Sequence, residues 1–152
     1  TASLANGGFI VRPRLIRDTE PVPPQPIGID AQHLALVNSA MYKVVNRPLG
    51  TAYESSILIN GNRMNGKTGT VQVRRISKDE RESGVLSNKE LDWHLRDHSL
   101  FVGYAPHKNP RYAISIVIEH GGGGAYVAAP IARDIMAELL RNEGRVREAR
   151  AS

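Results

Sequence analysis

The sequence predicts an α/β layering of the α+β kind: a small antiparallel sheet flanked by helices. Three observations carry this. Apolar residues recur at helical spacing at Leu34, Val37, Met41 and Val44, then give way to β-branched runs between residues 57 and 119. Those runs follow one another with no helical pattern between them, as antiparallel neighbours do. An apolar helical pattern, Ile131, Ile135, Leu139 and Leu140, then returns near the end. The order is helix end, helix, three strands, helix.

Thr1-Ala2-Ser3-Leu4-Ala5-Asn6-Gly7-Gly8 reads as the last turn of a helix closed by glycine, which suits a chain cut from a longer polypeptide. Five prolines between residues 12 and 29 (Pro13, Pro21, Pro23, Pro24 and Pro26) leave no room for a helix and predict an extended connection. Asp30 is a natural N-cap for an amphipathic helix over 30–46, which Pro48 stops. Strands are expected at about 64–73, 99–105 and 111–119. In the last, Tyr112, Ile114, Ile116 and Ile118 share one face, and the small or apolar Ala113, Ser115 and Val117 suggest cover on the other. The polar stretch 74–97 is long for a loop in a small domain. The final helix is expected at about 125–141, with Pro130 in or near its first turn, and 142–152 as a disordered tail.

The 152 residues suit one domain, and with 5% aromatic content its core must rest on aliphatic side chains. The net charge of +5 is dispersed over Arg12, Arg14 and Arg17, over Arg74, Arg75 and Lys78, and over Arg141, Arg145, Arg147 and Arg150. No aromatic residues alternate with these cations, so the pattern speaks for solvated surface and against nucleic acid as a partner. The absence of cysteine excludes disulfides, thiolate metal sites and a cysteine nucleophile. No apolar run approaches the length of a membrane helix, about 20 residues.

Gly61-Asn62-Arg63-Met64-Asn65-Gly66-Lys67-Thr68 fits the nucleotide-binding pattern G-x-x-x-x-G-K-[ST]. That chemistry needs a helix starting at the lysine. Gly69, Thr70, Val71 and Val73 follow instead, and glycine with β-branched residues predicts a strand. A P-loop nucleotide-binding protein is thus the remote alternative.

Lys67-Thr68-Gly69-Thr70 on a strand also resembles the Lys-Thr-Gly motif of the penicilloyl-serine transferases. Three flanking segments agree in family order. They are Leu4-Ala5-Asn6-Gly7-Gly8 with Pro13-Arg14-Leu15, then His98 to Pro106, then Gly123-Gly124-Ala125 with Ala128 to Ala132. Together the four cover residues 1 to about 140 and resemble class B penicillin-binding proteins, most of all the penicillin-binding protein 2 type. The resemblance implies a β-lactamase/transpeptidase-like fold, present here as its C-terminal half, with residues 1–141 as part of one transpeptidase domain. It implies that residues 30–47 belong to the helical subdomain or its junction with the sheet.

The implied chemistry is D,D-transpeptidation of peptidoglycan stem peptides through a serine acyl-enzyme, which β-lactams also form. Lys67 would supply positive charge near the substrate carboxylate and the serine. The Thr68 and Thr70 hydroxyls would hold that carboxylate, and the Thr70 N–H would be an oxyanion donor. Gly69 would admit substrate to the strand edge. No cofactor or metal is implied. The nucleophile motif Ser-x-x-Lys occurs nowhere in the chain, nor does Ser-x-Asn, although Ser87-Asn88-Lys89 has those residue types at another spacing. The expected partner is therefore the upstream half of the same domain, and the chain alone should be inactive. A non-catalytic transpeptidase-like binding module is the alternative. The parent protein would sit on the periplasmic side of the bacterial inner membrane, held by an N-terminal helix, beside a membrane glycan polymerase. His94 and His98, at i and i+4 near Asp92 and Asp97, read as a polar loop rather than a metal site. Gly121 to Gly124 read as a tight packing turn.

Overall fold

The structure is a computed structural model that describes residues 1–13, 15–16 and 23–151, with side chains described through residue 143. Helix α1, Ala2–Ala5, ends where Gly7 and Gly8 take φ of 87° and 92°, and the Gly8 N–H donates back to the Ser3 carbonyl. This left-handed closure is one that glycine adopts without steric cost. Residues on the two sides of the proline-rich connection then run antiparallel: Ile10 N–H donates to Gln25 O and Ile27 N–H to Gly8 O, both at 2.8 Å. Pro21 lies outside the described residues.

Helix α2, Ala31–Asn46, opens on Asp30, whose carboxylate accepts from the Gln32 N–H at 2.7 Å. Its buried residues are Met41 and Val45, whereas Val37 stays 41% exposed. A tight turn at residues 59–62 leads into strand β1, Asn65–Val71. Helix α3, Lys78–Ser83, and a 3-10 turn, Trp93–Leu95, interrupt the polar stretch expected to be irregular. Ser77 explains α3, since its hydroxyl accepts from the Glu80 N–H at 3.1 Å. Strands β2, His98–Ala105, and β3, Tyr112–Ile118, follow, and helix α4 runs Ala128–Ala151.

The sheet is antiparallel in the order β1-β2-β3. Thr68 pairs with Phe101, which pairs with Ile116. The face carrying Phe101 and Ile116 packs against α4 through a core of Phe101, Met64, Ala128, Ala129, Ala132, Met136 and Leu140. Helix α2 packs beside β1 and adds Val45.

Three expectations need correction. The buried stripe of α4 is Ala129, Ala132, Met136 and Leu140, while Ile131, Ile135 and Leu139 are 38%, 43% and 38% exposed. Small residues let the helix sit close to the sheet, which turns the large aliphatics away from it. Strand β3 is covered on one face only, with Ala113, Ser115 and Val117 exposed. The helix does not stop at 141 but continues through the expected tail to Ala151. Arginine, glutamate and alanine there are good helix formers, and a single Gly144 costs only about 1 kcal/mol. Ser152 lies outside the described residues.

Candidate active site

Strand β1 is an edge strand: β2 is its only strand partner among the described residues. Its start is locked by a buried polar network. Asn65, fully buried, donates from Nδ2 to the Asn38 carbonyl at 3.0 Å and to the Tyr104 hydroxyl at 2.6 Å. The Tyr104 hydroxyl donates to Asn38 Oδ1 at 3.0 Å, and burial pushes its pKa up, which keeps it a neutral donor. Asn46 Nδ2 also donates to the Met64 carbonyl at 2.8 Å. Helix α2 thus fixes the height of β1 through amide and hydroxyl groups that leave few other arrangements satisfied.

Two residues further along, Lys67 is exposed, and its ammonium donates to the Thr68 carbonyl at 2.8 Å. The Thr68 hydroxyl lies 3.1 Å from that of Thr51. Thr70 is exposed, and its hydroxyl oxygen accepts from the Gly124 N–H at 3.3 Å. Strand β1 therefore brings Lys67, Thr68 and Thr70 together on one short edge. An open groove of about 450 Å³ lies beside Lys67, lined by Ala40, Lys43, Val44, Arg47, Leu49 and Thr51. Thr51 and the cations Lys43 on α2 and Arg47 just after it were not legible as site neighbours, because nothing in their local sequence marks them.

The far end of β1 is held by the glycine turn before α4. A Cβ on Gly124 would lie 2.3 Å from the Gly69 carbonyl oxygen and 2.4 Å from that of Leu100, so this turn presses its backbone onto both strands. A Cβ on Gly69 would meet Leu100 Cβ at 3.2 Å. Gly69 is therefore constrained by packing from within the chain, apart from any role toward substrate. Fully buried Ser99 completes the junction: its hydroxyl donates to Gly123 O at 3.2 Å and accepts from the Ala128 N–H at 3.0 Å. A serine on β2 thus satisfies one orphan N–H of the first turn of α4. Pro130 falls in that same turn, where it removes a donor with no intrahelical partner.

The strand at Lys67 also disposes of the nucleotide-loop reading, since no helix starts there. Beyond β1, Arg74 and Glu80 form a close ion pair. The pair's hydrogen bonding pulls the Glu80 carboxyl below its ordinary range and pushes the Arg74 guanidinium up. The histidine that meets His98 is His120, with ring centroids 4.8 Å apart, and the His120 N–H donates to His98 Nδ1 at 2.9 Å. Among the described residues, no group of three His, Asp or Glu side chains is poised to hold a metal.

An antiparallel sheet ordered in this way, an edge strand bearing Lys-Thr-Gly-Thr and a glycine turn clamped to its end define a family. Residues 1–137 match the Penicillin binding protein transpeptidase domain, and the chain belongs to that family. Among its relatives is the peptidoglycan D,D-transpeptidase MrdA of Salmonella typhimurium strain LT2, 34% identical over 149 residues. That alignment covers 91% of this chain and 23% of the relative. MrdA of Escherichia coli K12 is 30% identical over 148 residues, covering 90% and 22%. The fold is that of penicillin-binding protein 2. The Pseudomonas aeruginosa protein, solved with WCK 5153, matches at a TM-score of 0.63 and 33% identity, covering 90% of this chain and 27% of that one. The Helicobacter pylori protein, solved in complex with MreC, matches at 0.73 and 26% identity, covering 95% and 24%. The chain thus spans about a quarter of the length of these relatives.

Proposed function

We propose that this chain contributes the Lys-Thr-Gly strand to a serine-type peptidoglycan D,D-transpeptidase site whose nucleophile lies on another stretch of polypeptide. The observation that carries this reading is the edge of β1, unpaired among the described residues, which bears Lys67, Thr68 and Thr70, with Lys67 and Thr51, the hydroxyl partner of Thr68, lining an open groove. An unpaired strand edge accepts an extended peptide by adding it as a further strand, with side chains along the edge reading its terminus.

In the reaction, a serine oxygen attacks the carbonyl of the penultimate D-alanine. Its proton passes to a nearby base, and the C–N bond breaks to release D-alanine. An amine from a second stem peptide then attacks the ester and frees the serine. Lys67 contributes positive charge beside the serine and the substrate carboxylate. The Thr68 and Thr70 hydroxyls donate to that carboxylate, and the Thr70 N–H donates to the developing oxyanion. A β-lactam carbonyl would acylate the same serine. In this reading, no step needs a cofactor.

Residues 1–141 act as the C-terminal portion of the transpeptidase domain. The upstream portion is the first partner, and two uncovered surfaces support this. One is the outer edge of β3, which has no strand partner among the described residues. The other is the exposed stripe of Ile131, Ile135 and Leu139 on α4. Unpaired edges and exposed aliphatic stripes both favour further packing. The parent protein works at the periplasmic side of the inner membrane beside a glycan polymerase.

The competing reading, a binding module without catalysis, draws on the absence of Ser-x-x-Lys from this chain. Intact-mass spectrometry with and without a penicillin separates the two. A companion polypeptide, or an upstream segment of a longer chain, should gain the drug mass while residues 1–152 do not. A penicillin adduct on this segment itself would sink the proposed division of labour, and no adduct anywhere would favour the binding module.

A further inference from the structure

A polar cavity of about 300 Å³ opens where the turn before β1 meets the loop after β2. Tyr42, Asn62, Arg63, His107 and Lys108 line it, with Gly61 and Pro106. It lies at the opposite end of β1 from Thr70, and its walls are well fixed. Ile59 and Asn62 exchange backbone hydrogen bonds at 3.1 and 2.8 Å across a turn in which Asn60 and Gly61 take φ of 50° and 74°. The His107 N–H donates to the Arg63 carbonyl at 2.7 Å, tying the two loops together.

The charge of this cavity is one-sided. Arg63 and Lys108 are cations, and no aspartate or glutamate lines the walls. Arg63 makes one long hydrogen bond, from Nη1 to Asn46 Oδ1 at 3.5 Å, and neither cation is ion-paired among the described residues. A guanidinium with free donors and a second cation beside a recessed polar space form the arrangement that holds oxyanions.

His107 adds a proton-linked third contact. Its Nδ1 lies 2.9 Å from Asn65 Oδ1. Asn65 uses its amide hydrogens on Asn38 O and the Tyr104 hydroxyl, so Oδ1 is the acceptor and His107 Nδ1 carries the hydrogen. Nε2 then holds a lone pair when the ring is neutral and an N–H when it is charged. Burial, aided by Lys108, pushes the His107 pKa below its ordinary value, which favours the neutral ring.

We infer that this cavity is a binding site for a compact oxyanion, the carboxylate or phosphate group of a larger ligand, held by Arg63 and Lys108 with His107 as the third contact. Part of the nucleotide-like string, Gly61-Asn62-Arg63, thus serves an anion at the turn before β1, with no helix and no magnesium. Binding draws a proton onto His107 Nε2, so affinity rises as pH falls toward the range where the ring charges. The groups around the ring are Tyr42 from α2, Arg63 from the turn before β1, Asn65 from β1 and Lys108 from its own loop. None of them is an acid that would charge the ring without a ligand. The site does not depend on the transpeptidase reading.

The test is an NMR titration of histidine-labelled protein with inorganic phosphate and, separately, acetate, with sodium chloride keeping ionic strength constant. The expected result is a saturable shift at the His107 Cε1 proton and a rise in the pKa of that ring. Arg63→Gln and Lys108→Gln should each weaken binding on the order of tenfold, the loss expected for one charge-assisted contact. Lys78→Gln on α3 should change nothing. Saturation by phosphate alone assigns a phosphate ligand, and saturation by acetate as well assigns a carboxylate. Lys108 is exposed, so Lys108→Gln keeps the test valid if Arg63→Gln disturbs the turn. A His107 signal that ignores both anions, or one that titrates as tightly in both glutamine variants as in the unaltered protein, overturns the site.

Discussion

The sheet has two outer strands, and they differ in kind. Strand β1 bears Lys67, Thr68 and Thr70 and is locked at both ends, by the Asn65 network and by the Gly124 clamp. Strand β3 bears Ile114, Ile116 and Ile118 on its inner face and Ala113, Ser115 and Val117 on its outer one, with no polar lock of similar depth among the described residues. One edge is held rigid so that polar side chains can stay exposed at fixed positions. The other is an ordinary half-covered strand that gains by further packing. Rigid support behind exposed polar groups is what a preorganised site requires.

The sharpest way to break this contrast is to unclamp β1. Gly124→Ala places a methyl group against two backbone oxygens, which neither strand can move to accommodate. The expected loss is about 3 kcal/mol, the upper end of overpacking costs, measurable by urea unfolding. Next is Asn65→Ala, which leaves the Tyr104 hydroxyl and the Asn38 carbonyl without their partner at no gain in packing. A loss of about 2 kcal/mol is expected, again by urea unfolding. On β3 the effects should be smaller. Ile116→Val should cost about 1 kcal/mol through its contact with the core, and Val117→Thr on the exposed face about 0.5 kcal/mol or less. A Val117→Thr penalty as large as that of Asn65→Ala would erase the distinction between the edges.

The weakest prediction concerns pH. The Glu80 carboxyl has its folded pKa lowered by its hydrogen bond with Arg74. The sign follows from linkage: its contribution is complete above the unfolded carboxylate pKa and fades as pH falls through the lowered folded value. The protection factor of the α3 amides, their exchange rate set against the intrinsic rate at the same pH, should therefore fall on acidification, and Glu80→Gln should remove that dependence.

How much of this was legible in sequence depended on whether the signal was local. The edge strand was readable because Gly66, Gly69, Thr70 and Val71 disfavour a helix, whatever the nucleotide-like spacing suggests. Helix α3 carried a readable sign as well, Ser77 three residues before Glu80, the start of a capping box, but the polarity of the stretch concealed it. The inner face of α4 was misread because hydrophobic spacing favours the large residues Ile131 and Ile135, whereas close approach to the sheet selects Ala129 and Ala132. Thr51 at Thr68, Ser99 at the start of α4 and Asn38 at Asn65 are contacts between distant segments, and no local pattern encodes them.

In the proposed function the β1 edge works chemically through Lys67. Its most direct test is the acylation rate by a labelled penicillin of the assembled domain, comparing the unaltered protein with Lys67→Ala. Lys67 is exposed and outside the locks, so stability should change by no more than about 0.5 kcal/mol. Acylation should fall by about a hundredfold or more, the scale of losing one positioned electrostatic group. An unchanged rate at unchanged stability would contradict the account and leave Lys67 as an ordinary surface lysine.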